Sequence, residues 1–166
     1  MAKNQVAVKG LSEVAAAFEA LASSKVYEEI ATDALKEGGG IAADYMRSQL
    51  NKLHTTDENY RSDKRYASKK EKELLLKEMG VTPVKSKGDN INIKVGFDGY
   101  GYPTKAHPDG VPTALIANSI NRGTSFLIPQ PFINRTMNAG KKEVIAAMQK
   151  KFEDETVKIF NQKTKS

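Results

Sequence analysis

The chain has 166 residues, of which 39% are hydrophobic, and carries a net charge of +6 with a sequence pI of about 9.4. This length suits a single domain with its own core, over residues 1–166. The absence of cysteine excludes disulfides and thiolate metal sites. The sequence contains no run of about 18 apolar residues, so no membrane span is predicted. The N-terminus lacks the pattern of a signal peptide, so we expect a protein made in the cytoplasm.

Two elements are predicted near the N-terminus. Val6 and Val8 alternate with polar or small residues and predict a short strand, which Gly10 ends. Ser12 can cap a helix whose apolar face is formed by Leu11, Val14, Phe18 and Leu21.

A second helix is predicted from about Lys25 to Leu53, with Val26, Ile30, Ala34, Ile41 and Tyr45 on one face. The triplet Gly38-Gly39-Gly40 interrupts it. Three glycines in a row predict either a kink or a very close approach of another backbone, because each costs about 1 kcal/mol relative to alanine in a helix.

Residues 54–72 are polar and charged almost throughout, and predict a mobile loop. Residues Glu73 to Met79 contain three leucines and predict a short helix closed by Gly80. From Val81 to Phe97 the pattern predicts a β-hairpin, with Gly88-Asp89-Asn90 as the turn. One arm is Val84–Lys87, and the other alternates Ile91, Ile93, Val95 and Phe97 with polar or small residues.

The glycine- and proline-rich residues 98–112 predict a long surface loop. Residues 113–120 are compatible with a strand or a short helix. A long helix is predicted from Pro131 to about Asn161, with Val144, Met148 and Phe152 on its apolar face, Ile145 and Val157 widening that face, and Gly140 as a possible kink. The tail, about 162–166, is expected to fray. The predicted fold is α+β: a small antiparallel sheet with a β-hairpin, packed against N-terminal and long C-terminal helices.

No arrangement of residues predicts catalysis, a cofactor or a metal site. His54 and His107 lie in loop-like stretches without metal-ligand spacing, and are expected to be solvated. Asp98 and Asp109 flank the glycine-rich loop and are explained as turn residues. We therefore expect a protein that is not an enzyme.

The stretch Ala117–Thr136 resembles a family. A Gly-Thr pair (Gly123-Thr124), followed by Pro-x-Pro-Phe (Pro129 to Phe132) just before the last helix, resembles the tail-completion, or tail-terminator, proteins of long-tailed bacteriophages. Val6–Val14 resembles the opening strand, Gly-Leu and first helix of that family. The chain departs from the family where Asn121 stands in place of an acidic residue, and where Asn134-Arg135-Thr136 replace a proline after the phenylalanine.

The resemblance implies a structural virion protein of the tail or neck. Identical subunits, most commonly six, would form a ring at the head-proximal end of the tail, contacting the tail tube protein and the head connector, or stopper, protein. DNA would pass through the lumen in transient, nonspecific contact. A head-side neck protein is an alternative within the same biology, and the positive charge leaves open a nonspecific nucleic-acid-binding module.

Two sets of residues are candidates for contacts. The first is predicted to lie at a subunit or partner interface and comprises Tyr100, Tyr102, Arg122, Phe126 and Phe132. The second is predicted to face the lumen and its DNA and comprises Arg61, Lys64, Arg65, Lys69 and Lys70. A solvated loop explains the second set equally well, and loop tyrosines that only cover the hairpin explain part of the first.

Overall fold

A computed structural model describes residues 24–57, 63–87 and 90–164. The predicted strand at Val6–Val8, the first helix and the start of the hairpin turn fall outside these ranges. The described helices are α1 (Ser24–Asn51), α2 (Lys69–Glu78), α3 (Thr113–Arg122) and α4 (Phe132–Thr164). The strands are β1 (Met79–Val81), β2 (Lys85–Lys87), β3 (Asn90–Asn92) and β4 (Val95–Phe97). The fold is α+β, as predicted.

The long helices α1 and α4 form the largest contact between elements of the described chain. Gly38 of α1 faces Met148 of α4, and Tyr45 faces Gly140. Residue numbers thus rise along one helix as they fall along the other, so the pair is antiparallel. Both helices run through their glycines without a break, so neither predicted kink forms a helix boundary.

The predicted hairpin is confirmed, but it is longer and is divided into two ladders. β1 pairs with β4 and β2 pairs with β3, both antiparallel. Between the ladders lies Pro83, which has no N–H to donate. The strands stay joined there because Thr82 N–H donates to the Lys94 carbonyl at 2.9 Å, and Lys94 N–H donates to Thr82 Oγ1 at 3.0 Å. The hairpin packs on α1 and α3.

Several boundaries differ from the sequence-based predictions. Helix α2 begins at Lys69, so the prediction of a loop over 54–72 is wrong for residues 69–72. Its start is a capping box, in which the Ser68 and Glu71 side chains accept each other's backbone N–H. The helix ends at Glu78, and Met79 and Gly80 belong to β1.

In the C-terminal half, the structure decides between strand and helix for residues 113–120 and corrects two predictions about α4. Residues 113–120, compatible with strand or helix in sequence, belong to helix α3. Helix α4 extends through Thr164, so the tail predicted to fray is helical over 162–164. Ile145 and Val157, predicted to widen the apolar face of α4, are exposed.

The core lies where α1, α2, α3 and the start of α4 meet. Its largest fully buried hydrophobic side chains are Phe132, Leu50, Leu75 and Ile120. Phe132 also meets Phe97 of β4 edge to face, with ring centroids 6.0 Å apart. The core therefore fixes the start of α4 against both the hairpin and α3.

Candidate assembly surface

The turn after helix α3 presents Phe126 to solvent on a constrained backbone. Gly123 ends the helix with φ of +77°, and its N–H donates to the Ser119 carbonyl at 2.8 Å. Thr124 then closes the turn, because its Oγ1 accepts from Leu127 N–H at 3.0 Å and its N–H donates to the Leu127 carbonyl at 3.0 Å. Leu127 is buried while Phe126 is 55% exposed. The Gly-Thr pair thus builds a turn that anchors one apolar residue and displays its neighbour.

The Phe126 turn is also held from the side by Arg65. Arg65 N–H donates to the Phe126 carbonyl at 2.9 Å, and Ile128 N–H donates to the Arg65 carbonyl at 2.8 Å. The Arg65 guanidinium in turn binds the Glu71 carboxylate through both Nη atoms, at 2.9 and 3.2 Å. Because two forked groups meet in a plane, this bidentate pair fixes orientation as well as distance.

Glu71 is the centre of this network. Its carboxylate also accepts from the Ser68 N–H at 2.7 Å and from the Tyr102 hydroxyl at 3.0 Å. Burial on its own would raise the pKa of the Glu71 carboxyl, but the hydrogen bonds from Arg65 and Ser68 outweigh burial and hold that pKa below its ordinary value. The carboxylate is therefore ionised at neutral pH and holds its donors in place.

Tyr102 connects the glycine-rich loop to this network. Burial, followed by the adjacent Glu71 carboxylate, raises the pKa of the Tyr102 hydroxyl, so the hydroxyl remains protonated and donates. Tyr102 is nevertheless 47% exposed. Tyr100, which is 65% exposed, lies at the start of α3, where it forms an isolated antiparallel bridge with Pro112.

The predicted interface residues therefore have different environments. Tyr102 and Phe126 are linked through Arg65 and Glu71, while Tyr100 and the exposed Arg122 lie at opposite ends of α3. The prediction for Phe132 is wrong, because its side chain is 1% exposed and belongs to the core.

The residues predicted to face DNA have different environments in the described chain. Arg65 is held by Glu71, and the exposed Lys69 ammonium lies 3.4 Å from the Asp57 carboxylate. Lys64 and Lys70 are exposed. Arg61 falls outside the described residues.

The sequence-based predictions assign no role to Glu71 or Gln130, two of the buried polar residues. Glu71 lies at the third helical position after Ser68, and this capping-box spacing is a signal that the sequence does contain. Gln130, between the two prolines, is 4% exposed. Its side-chain amide accepts from His54 N–H at 2.8 Å and donates to the His54 carbonyl at 3.0 Å, which ties the end of α1 to the start of α4. No local pattern announces that contact, since 76 residues separate the two partners.

Among residues 24–57, 63–87 and 90–164, no three His, Asp or Glu side chains group in a way that could hold a metal ion. None of the helices in those ranges combines the length and apolar character that crossing a bilayer requires. Comparison with protein-family models, curated proteins and solved structures finds no match for this chain.

Proposed function

We propose that this protein is a structural component of a phage virion that forms a ring at the head-proximal end of the tail. The ring ends the tail tube, joins it to the head connector and lets DNA pass through its lumen, with no bond made or broken. The observation that carries this proposal is Phe126, an exposed aromatic side chain on a turn fixed by Gly123, Thr124 and Arg65. A contact residue ordered before binding loses little entropy on association.

The structural roles of the Gly-Thr and Pro-x-Pro-Phe residues support the resemblance on which the proposal rests. Gly123 and Thr124 build the Phe126 turn, and Pro131 directly precedes α4, where a missing N–H costs nothing. Asn121, which departs from the acidic residue of the family, accepts from Ile133 N–H at 3.0 Å through its amide oxygen. A carboxylate could accept the same bond, so the substitution is compatible with an unchanged junction.

Ring formation can be tested directly. Purified wild-type protein, alone and mixed with tail tubes and head connectors, is imaged by negative-stain electron microscopy and sized by sedimentation velocity. We expect rings, and we expect Phe126→Ala to weaken assembly by about 30-fold, since an interface hot spot contributes about 2 kcal/mol or more. Val157→Ala is the matched control, because Val157 is also an exposed apolar residue (56%) but lies far along α4. A wild type that stays monomeric with tail tubes and connectors would contradict the proposal.

A head-side neck protein would make the same kind of contacts with the head connector. Pull-down with separately purified tail tubes and head connectors distinguishes the two positions. Capture by the tail tube supports the terminator position, whereas capture by the connector alone supports the neck position.

The hairpin favours a second candidate function, nonspecific binding of nucleic acid. Lys85 pairs with Asn92 and Lys87 pairs with Asn90, so all four side chains project from one face of the β2–β3 ladder. Lysines and amides of this kind can contact phosphates without reading sequence. A gel shift with random duplex DNA tests this candidate. Nonspecific binding is supported if it weakens with salt and if Lys85→Gln/Lys87→Gln weakens it more than the control Lys141→Gln/Lys142→Gln does. The absence of any shift at low salt would exclude this function.

A further inference from the structure

An apolar groove lies between the hairpin and helix α3. It has a volume of about 730 Å³, and its apolar lining includes Val81, Val95, Phe97, Ala114, Ala117 and Ile133. Val81, a strand residue with an apolar side chain, is 40% exposed. A cavity in the range of about 300–1,000 Å³ holds a drug-sized molecule, so the groove is large enough for an aromatic side chain.

The groove and Phe126 lie on different flanks of α3. Ile116 faces α2, since a Cβ on Gly101 would touch both Ile116 and Leu74 at 2.8 Å. Ala114, which lines the groove, is two positions earlier and therefore about 200° away around the helix axis. The backbone of Phe126 lies on the α2 flank, because Arg65 binds its carbonyl through the main-chain N–H and binds Glu71, near the start of α2, through the guanidinium.

The charges beside the two surfaces have opposite signs. Arg122 is exposed at the end of α3, immediately before the Phe126 turn and four positions after Asn118 of the groove lining, whereas Asp98 is exposed at the groove rim near the start of α3. Neither forms an ion pair with another residue of the described chain. A contact that brought the two surfaces together between copies could pair these charges, and complementary charges of this kind fix the register of an interface.

We propose that Phe126 of one copy inserts into the α3–hairpin groove of the next copy, with Arg122 of the first facing Asp98 of the second. This inference rests on the proposed function and specifies its subunit contact. Because the inserted residue and the receiving groove are different surfaces, the contact is heterologous, and it closes a ring when the rotation between neighbouring copies completes a full turn without a rise. A contact between two identical surfaces would instead stop at a dimer.

Cross-linking tests the contact directly, because the chain contains no natural cysteine. Ser125→Cys places a thiol next to Phe126, and Asn118→Cys places one beside the groove, both at exposed positions. The two single variants are mixed in equal amounts and treated with a short bis-maleimide. We expect a cross-linked dimer from the mixture and little from either variant alone. Pairing Ser125→Cys with Ile145→Cys, at an exposed position on α4, is the control.

Charge reversal provides a test that leaves the apolar contact intact. Asp98→Arg and Arg122→Asp should each weaken assembly at least 10-fold, and the double variant should regain most of the loss. Sedimentation velocity at two ionic strengths measures the effect, which should be larger at the lower salt concentration.

The outcomes separate this inference from the proposed function. If the wild type forms rings but no cross-link joins positions 118 and 125, the inference is overturned and the ring function still stands. The same holds if one single-cysteine variant alone gives cross-linked dimers. A specific 118–125 cross-link in an oligomer that binds neither tail tubes nor connectors would support the contact and overturn the virion role. A wild type that assembles under no condition, with no cross-link, would overturn both.

Discussion

Gly38 of α1 lies against Met148 of α4 so closely that position 38 has no room for a side chain. A Cβ added at Gly38 would lie 2.5 Å from Met148 Cγ and 3.3 Å from Val144 Cγ1. Gly38, the first glycine of the triplet, therefore allows α1 to pack closely against α4. The close neighbour is the Met148 side chain, whereas the glycine triplet predicts a kink or the close approach of a second backbone.

Alanine substitutions should separate the glycines of this triplet. Gly40 is exposed and a Cβ there would meet nothing within 4 Å. Gly40→Ala should therefore raise the free energy of unfolding by about 0.5–1 kcal/mol, the usual gain of replacing a helical glycine. Gly38→Ala should lower it, since overpacking costs about 1–3 kcal/mol. Urea denaturation followed by circular dichroism measures both, and equal stabilisation by the two variants would show that Met148 yields freely.

Glu71 should contribute to stability in a pH-dependent way. Its pKa in the folded protein is lowered, so its contribution is fully present above the pKa of an unfolded glutamate, about 4.3, and is lost as the pH falls through the folded pKa. Glu71→Gln should therefore destabilise the protein at pH 7 by about 1–3 kcal/mol, as for other lost hydrogen bonds at a buried site. As the pH falls from 6 to 3, the free energy of unfolding of the Glu71→Gln variant should decrease less than that of the wild type.

Urea denaturation at several pH values in that range checks this prediction. Glu153→Gln, at an exposed position on α4, is the control and should follow the wild-type pH profile. Parallel profiles for wild type and Glu71→Gln would rule out Glu71 as a source of acid sensitivity.

Gln130 should be sensitive to truncation because it satisfies both backbone groups of His54. Gln130→Ala leaves that N–H and that carbonyl without their present partners, so we expect a loss of about 2–3 kcal/mol in the free energy of unfolding. Gln149→Ala, at an exposed position on α4, should change it by less than about 0.5 kcal/mol. Thermal and urea unfolding provide the comparison, and similar values for the two variants would contradict this role.

Thr113 should tolerate valine. Its side chain is 0% exposed, and its Oγ1 has no hydrogen-bond partner in the described part of the chain. Valine keeps the shape and removes the buried hydroxyl, so Thr113→Val should raise the free energy of unfolding by about 1 kcal/mol. Thr113→Ala should lower it, because it opens a cavity. Destabilisation by valine would indicate that the hydroxyl does have a partner in solution.

The elements that the sequence predicted best are long or strongly alternating. Helix α1, the hairpin and helix α4 were recovered because their periodicities extend over many residues. Helix α2 was cut short because Lys69 and Lys70 are charged and exposed, and its start depends on the Ser68–Glu71 capping box. Helix α3 was undecided because its 10 residues give too short a pattern.

The candidate surface was predicted less completely for a physical reason. Phe126 and Phe132 are both aromatic, lie six residues apart and are both predicted at an interface, yet Phe126 is 55% exposed and Phe132 is 1% exposed. The difference arises from the turn at Gly123–Thr124 and from the packing of α4, which depend on contacts with Arg65 and Phe97 far along the chain. Likewise, the sequence could not tell that Arg65 is paired with Glu71 while the hairpin lysines share a face.

The neighbouring Gly39 has a mechanical consequence. A Cβ at Gly39 would lie 2.9 Å from Ile93 Cδ1 and 3.3 Å from Val81 Cγ1, both in the hairpin, while Gly38 abuts α4. One helical turn of α1 thus contacts the hairpin through Gly39 and α4 through Gly38, and neither contact leaves room for a Cβ. Because close-packed interiors have low compressibility, a displacement of the hairpin is transmitted through α1 to α4.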